Sequence, residues 1–284
     1  VGAEVEDFMA GDRVAVGAIT PDWNAEAAQE GHPSQSNGAL GGWKFANVKD
    51  GTFAEYVHVN DADGNLAPIP KGVTDHQAVY TADMLSTGFA GAENADIPMG
   101  GTVAIFAQGP VGLMATKGAA LQGAGQIIAV ETRENRKELA RVYGATDIVD
   151  FQDGDPVAQI MDLTNDRGVD AAIEALGADE TLQNCIKVTK PGGTVSNVGY
   201  HGEGEFRHIP REEWGVGMSE ISIVNDLCPG GRVRISRLLR LLQAGKVDPR
   251  KMTTHEFSFD EIETAFEMMD DKRDDIIKPL IRFD

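Results

Sequence analysis

Short apolar runs alternate with amphipathic stretches through the middle of the chain. Residues 102–106 and 126–130 are runs of mostly apolar residues, which predict buried parallel strands. Further elements are expected in the same pattern, with strands near 147–150, 169–173 and 193–198 and helices near 133–143, 156–163 and 180–187. This alternation predicts an α/β fold with a doubly wound parallel sheet and right-handed crossovers.

The two ends of the chain carry a different pattern. The first part has strand-like runs at 12–18 and 53–59, separated by a loop that contains glycine, serine and asparagine. Helices are expected over 75–89, 232–243 and 260–270, and a closing strand over 276–281. This order predicts a nucleotide-binding domain inserted into a β-rich domain.

The segment after the strand at 102–106 carries glycines spaced for a dinucleotide. Gly109 lets the backbone approach a pyrophosphate, and Gly112 lets the next helix pack closely on the strand. Pro110 suits the first turn of that helix, which continues with Val111 and whose N-terminus would face the phosphates. The first glycine of the usual pattern is Ala107 here, and alanine fits a tight turn less freely, so the glycines alone are a weak signal.

The second strand strengthens this prediction. Glu131 directly follows the strand at 126–130, about twenty residues past Gly112, where a carboxylate binds the adenosine ribose and repels a 2′-phosphate. Thr132 and Arg133 come next, and an arginine there either pairs with a 2′-phosphate or simply opens the next helix. We expect a dinucleotide site with NAD preferred and NADP possible. The alternative is an ordinary βαβ unit whose glycines serve only the turn.

Composition and charge narrow the class of protein. With 284 residues, 42% of them hydrophobic, the chain is long enough for two domains. The net charge of −20 makes nucleic acid and anionic membranes poor partners, and the scattered acidic residues suggest adaptation to high salt, with an ordinary acidic enzyme as the alternative. The chain has no membrane-spanning run and no signal-peptide pattern, and its two cysteines lie far apart, which together predict a cytoplasmic protein.

Six stretches carry a similarity to a known family: 18–23, 42–50, 59–63, 82–89, 143–148 and 227–232. In these, the chain resembles the zinc-dependent medium-chain alcohol dehydrogenases, most closely the tetrameric secondary alcohol dehydrogenases of bacteria. The resemblance implies a Rossmann domain over 87–227, inserted into a GroES-like catalytic domain that is formed by 1–86 and 228–284 and is incomplete at its N-terminus. A homotetramer and an active site in the cleft between the domains are also expected.

The resemblance further implies a catalytic zinc that binds the alcohol oxygen, lowers its pKa and prepares hydride transfer to the nicotinamide. It assigns one zinc ligand, Asp83, and one residue that approaches the nicotinamide, Thr87, one turn further along the same predicted helix face. The family's other ligands, a cysteine and a histidine–glutamate pair, precede the start of this sequence. The histidines are isolated and do not replace them; we expect polar surface or core roles for His32, His58, His76, His201, His208 and His255.

No second, structural zinc is expected, because the loop around 18–44 lacks the four closely spaced cysteines that such a site needs. By resemblance, the substrate pocket contains Trp43, Tyr200, Leu227 and Cys228, with core packing as the alternative for the last two. The nicotinamide is expected at the carboxyl end of a strand, beside Val198, Gly199 and Tyr200. An apolar, aromatic pocket suits small aliphatic secondary alcohols and ketones.

The sequence therefore predicts an oxidoreductase that transfers a hydride between a small secondary alcohol or ketone and a nicotinamide cofactor, with one catalytic zinc. Two alternatives stay open at this point. One is a zinc-free reductase of the same superfamily acting on an enone or quinone, against which Asp83 argues. The other is a dinucleotide-binding protein without catalysis.

Overall fold

The structure, a computed structural model, describes residues 1–40 and 51–283. The chain forms two compact units. One unit combines Val1–Ser86 with Leu227–Asp284, and the other consists of Thr87–Asp226. Within the described residues, no helix is long and apolar enough to cross a membrane.

The N-terminal part of the first unit contains little regular structure. Its elements are β1 (Val14–Val16), α1 (Glu26–Gln29), α2 (Ala62–Asn65), β2 (Leu66–Pro68) and α3 (Asp75–Ala78), and β1 pairs antiparallel with β2. The strand predicted over 53–59 is wrong: this segment has no strand, and Tyr56 is 90% exposed. Alternating apolar residues form a strand only where a partner completes the ladder, and none pairs with this segment in the described part of the chain.

The helix predicted over 75–89 is interrupted. Thr74 and Gln77 form a capping box that starts α3, which passes into a 3-10 helix over Val79–Thr81. The amide of Ala82 donates to the carbonyl of Val79, closing this tighter turn. A second helix, α4 (Met84–Asn94), then begins, so Asp83 lies in the turn before it and not on a continuous helix with Thr87.

The second unit is the predicted doubly wound sheet. Its further elements, in chain order, are β3 (Thr102–Phe106), α5 (Pro110–Gln122), β4 (Gln126–Val130), α6 (Glu134–Tyr143), β5 (Asp147–Val149), α7 (Pro156–Leu163), β6 (Val169–Glu174), α8 (Asp179–Val188), β7 (Thr189–Asn197) and β8 (Ser222–Asn225). The strand order is β5-β4-β3-β6-β7-β8, and every neighbouring pair is parallel. The prediction of an α/β fold with a parallel sheet is confirmed.

Burial on both faces explains why the central strands are mostly apolar. Ile105, Phe106, Ile128 and Ile173 are almost completely buried, in two clusters. Ala104 and Phe106 belong to one cluster, whereas Ile105 belongs to the other. Because successive residues of a strand point to opposite faces, each central strand contributes to both clusters.

The rest of the first unit is formed by the last part of the chain. It contains α9 (Arg232–Gln243), a 3-10 helix over Pro249–Met252, β9 (Thr253–Ser258), α10 (Ile262–Asp271) and β10 (Lys278–Arg282). The strands β9 and β10 pair in parallel. Arg234 of α9 donates to the hydroxyl and carbonyl oxygens of Ser86, and the Ser86 hydroxyl donates to the carbonyl of Pro229. These bonds fix the chain next to the turn that carries Asp83.

Candidate functional site

The parallel sheet places the predicted cofactor residues at one edge. The glycine turn follows β3, the segment Glu131–Arg133 follows β4, and the segment Val198–Tyr200 follows β7. Since all these strands run in the same direction, their carboxyl ends meet at the same edge of the sheet. The residues gathered there are Gly109, Pro110, Val111, Gly112, Glu131, Thr132, Arg133, Val198, Gly199 and Tyr200.

The glycine turn has a geometry that requires glycine at one position. Gly109 is the N-cap of α5, and Pro110 occupies its first turn. A Cβ atom added at Gly112 would lie 1.9 Å from the carbonyl oxygen of Ala107, whereas one added at Gly109 would meet nothing within 4 Å. Ala107 itself adopts a φ of 70°, the left-handed conformation that glycine usually supplies. The turn is therefore formed despite the missing first glycine.

These two glycines predict different effects of the same substitution. Gly112→Ala forces the turn open, so we expect it to lower the free energy of unfolding by about 1–3 kcal/mol. Gly109→Ala adds a methyl group in open space and should leave the unfolding free energy unchanged. It should nevertheless weaken binding of the nicotinamide dinucleotide, because the methyl group blocks the approach of the pyrophosphate. Urea unfolding and cofactor titration of both variants test this, and unchanged cofactor affinity in Gly109→Ala would remove Gly109 from the site.

Glu131 is held inside this edge of the sheet. Its side chain is 7% exposed, and Oε1 accepts hydrogen bonds from the backbone amides of Thr132 at 2.9 Å and Arg133 at 3.0 Å. Oε2 accepts from the amide of Gln108 at 3.3 Å and lies 3.6 Å from the Arg136 guanidinium. Burial lowers the pKa of Arg136, and the charge of Glu131 opposes that shift. The Glu131 carboxylate therefore accepts hydrogen bonds from backbone amides that could otherwise bind an anion.

A second buried carboxylate, which the sequence pattern did not single out, lies at the same edge. Glu174 ends β6 and is completely buried. Its Oε1 accepts from the amides of Leu176 at 3.0 Å and Gly177 at 2.9 Å and from the hydroxyl of Thr181 at 2.6 Å. The Nε2 atom of His201 lies 3.5 Å from Oε2. The available signal was a charged residue at the end of an apolar run, the same signal that identified Glu131.

The histidines are less isolated than expected. Besides the contact of His201, the Nδ1 atom of His208 lies 2.8 Å from Oδ2 of Asp179, and Nε2 of His76 lies 2.6 Å from the hydroxyl of Thr253. Isolation along the sequence therefore does not exclude an acidic neighbour in space, since His201 lies near Glu174 and His208 lies near Asp179. Folding brings the partners together from separate elements, so that spacing along the sequence did not reveal them.

Asp83 is half-buried in the turn before α4. Burial lowers the pKa of Lys278 on β10, and the negative charge of Asp83 opposes this shift. The thiol of Cys228 contacts the carbonyl oxygen of Ala82 at 3.5 Å, so Cys228 packs against the same turn. Thr87 is buried within α4, with 7% of its surface exposed.

A metal site cannot be assembled from the described residues alone. They contain no group of three or more histidine, cysteine, aspartate or glutamate side chains that could hold a metal ion. Asp83 supplies one carboxylate, whereas a catalytic zinc is normally held by three protein ligands. The described side chains thus offer a zinc one ligand, Asp83, and their geometry defines no catalytic step that involves zinc.

The predicted substrate-pocket residues have different environments. Trp43 lies outside the described residues. Cys228 is 7% exposed and Leu227 is half-buried, whereas Tyr200 is 82% exposed. The buried position of Cys228 is equally compatible with packing and with a pocket wall.

Comparison with known proteins extends these observations. The zinc-binding dehydrogenase family matches residues 110–244, and the alcohol dehydrogenase GroES-like domain matches residues 1–71. The chain is 54% identical over 282 residues to the NADP-dependent isopropanol dehydrogenase of Thermoanaerobacter brockii and 50% identical over 282 residues to that of Clostridium beijerinckii, covering 99% of this chain and 80% of each relative. A solved zinc-dependent alcohol dehydrogenase 2 from Streptococcus pneumonia superposes with a TM-score of 0.87 at 33% identity, covering 100% of this chain and 79% of that one.

Proposed function

The chain belongs to the zinc-binding alcohol dehydrogenase family, and from this premise we propose that it transfers a hydride between a small secondary alcohol, or the matching ketone, and a nicotinamide cofactor. The observation that carries the proposal is the glycine turn from Gly109 to Gly112 beside the buried Glu131, at the carboxyl edge of a parallel sheet. That arrangement suits the pyrophosphate and adenosine ribose of a dinucleotide.

We further propose that Asp83 is one ligand of a catalytic zinc. The half-buried carboxylate and the family support this assignment, and the remaining ligands lie outside the side chains described above. A bound zinc would polarise the alcohol oxygen and favour loss of its proton. The role of this chain is then to hold the metal through Asp83 and to bind and orient the dinucleotide through the glycine turn.

For the cofactor, we propose a preference for NAD. The names of the relatives from Thermoanaerobacter brockii and Clostridium beijerinckii indicate NADP for those enzymes. In this chain, however, the Glu131 carboxylate occupies the amides of Thr132 and Arg133, which could otherwise bind a 2′-phosphate. Its negative charge also repels such a phosphate, so that Arg133 and the neighbouring Arg136 would have to offset both effects.

The substrate class can be tested by comparing alcohols. We expect the natural full-length protein to oxidise 2-propanol and 2-butanol with kcat/KM values at least about tenfold above that for ethanol, because an apolar pocket rewards each added methyl group. Sorbitol, which is large and polar, serves as the negative control. A protein that ignored these alcohols but reduced an enone would instead be the zinc-free reductase. A protein that bound the cofactor without either activity would be a non-catalytic binder.

By resemblance, we also propose a homotetramer, which light scattering of the natural full-length protein would test. A stable monomer would refute the assembly but leave the fold and the cofactor site unaffected.

A further inference from the structure

The buried carboxylate of Glu174 lies directly beneath the segment Val198–Tyr200. The amide of Val198 donates to the carbonyl oxygen of Glu174 at 2.9 Å. A Cβ atom added at Gly199 would lie 2.0 Å from Oε2 of Glu174 and 2.3 Å from the amide nitrogen of Gly177. The backbone at Gly199 therefore packs directly against the carboxylate of Glu174.

A hydrogen bond between two flanking side chains links the two ends of the same segment. Asn197 precedes the three residues and His201 follows them, and Nε2 of His201 lies 2.9 Å from Oδ1 of Asn197. Asn197 also donates from Nδ2 to Oδ1 of Asn225 on β8. The segment is thus fixed between β6, β7 and β8, and the position of Glu174 relative to it is fixed as well.

The hydrogen bonds indicate that Glu174 is a negative charge in this site. Its oxygens accept from two backbone amides and one hydroxyl, which is the pattern of an ionised acceptor-only group. The amide oxygen of Asn197 can only accept, so the proton of His201 lies on Nε2. The Nδ1 atom of His201 is buried and has no hydrogen-bond partner among the described residues, so the ring makes its polar contacts through Nε2.

We propose that Glu174 is a positioning residue whose buried charge makes the site favour the oxidised, positively charged nicotinamide over the neutral reduced form. This proposal rests on the proposed function and on the expectation from the sequence that the nicotinamide lies beside Val198–Tyr200. Only the backbone of Val198–Tyr200 would then lie between the nicotinamide ring and the Glu174 carboxylate. Charge discrimination of this kind would support alcohol oxidation, since the oxidised cofactor is the form that must bind first.

The test is the ratio of the two dissociation constants. We expect Glu174→Gln to lower the ratio of the Kd for NADH to the Kd for NAD⁺ about five- to tenfold, the effect of removing one nearby charge in a partly solvated site. Glu174→Asp keeps the charge and should retain a ratio close to that of the wild type. The exposed Glu180 at the start of α8 provides the control, and Glu180→Gln should change nothing.

Calorimetric titration of the full-length protein separates the possible outcomes. A purely structural role would weaken both cofactor forms equally, so an unchanged ratio in Glu174→Gln would overturn the inference. If the wild type bound neither form, the proposed function would fail instead. If Glu174→Gln does not fold, Leu176→Lys provides a second test. Leu176 is 58% exposed, and a lysine there adds a positive charge near the surface that partly cancels the negative charge of Glu174. Leu176→Lys should lower the ratio about twofold relative to Leu176→Gln, and an equal ratio in these two variants would also contradict the proposal.

Discussion

Replacing Asp83 by alanine should nearly abolish alcohol oxidation and leave cofactor binding almost unchanged. A zinc that polarises the alcohol oxygen lowers the barrier by several kcal/mol, so that losing one of its ligands should reduce kcat/KM at least about a thousandfold. The glycine turn and Glu131 belong to the other compact unit, Thr87–Asp226, so the dinucleotide should still bind. Metal analysis of the same preparation should show a reduced zinc content.

The matched control is Asp270→Ala, which removes an exposed carboxylate from α10 in the same compact unit as Asp83. This variant should keep its zinc and its activity. Full zinc occupancy together with full turnover in Asp83→Ala would eliminate Asp83 as a ligand. The zinc ligands would then have to be sought among other side chains.

The second large effect concerns cofactor choice. We expect Glu131→Gly to shift the ratio of kcat/KM values from NAD towards NADP by about a hundredfold, since like charges held together cost several kcal/mol. The substitution removes the repulsion and also frees the amides of Thr132 and Arg133 for a phosphate. Glu131→Gln, which removes the charge but keeps most of the shape, should give a smaller shift.

The double variant Glu131→Gly/Arg133→Ala identifies the group that would bind the phosphate. If Arg133 pairs with it, the double variant should lose most of the gain with NADP. A wild-type protein that preferred NADP would contradict the role given to Glu131. It would mean that Arg133 and its neighbours outweigh the carboxylate.

The sheet of the second unit was predictable because burial on both faces leaves a strong signal in the sequence. The runs at β3 and β4 are apolar after their first residue, and their bounds match the prediction. The strand β8 was missed because Ser222–Asn225 is short and largely exposed, so neither alternation nor a continuous apolar run marks it. The segment 53–59 failed in the opposite way, since its alternation resembles a half-buried strand although no partner is described for it.

The candidate site was predictable only where it is local in the sequence. Gly109, Gly112 and Glu131 follow strands directly, so the strand–turn pattern identifies them. The pairing of Glu174 with His201 depends on two strand ends that meet only in the folded sheet. Likewise, the chain breaks between α3 and α4, so that Asp83 is placed by a turn, which the helical pattern of the sequence did not reveal.

The central claim is oxidation of a secondary alcohol by a nicotinamide dinucleotide on this chain, and one rate measurement tests it most directly. The zinc-loaded, natural full-length protein would be mixed with 2-propanol and NAD⁺, and the absorbance of the reduced nicotinamide followed before and after addition of a zinc chelator. We predict steady formation of NADH that stops when zinc is removed and returns when it is restored. No NADH or NADPH formation from 2-propanol with either oxidised cofactor, in a protein that is folded and contains zinc, would contradict the account.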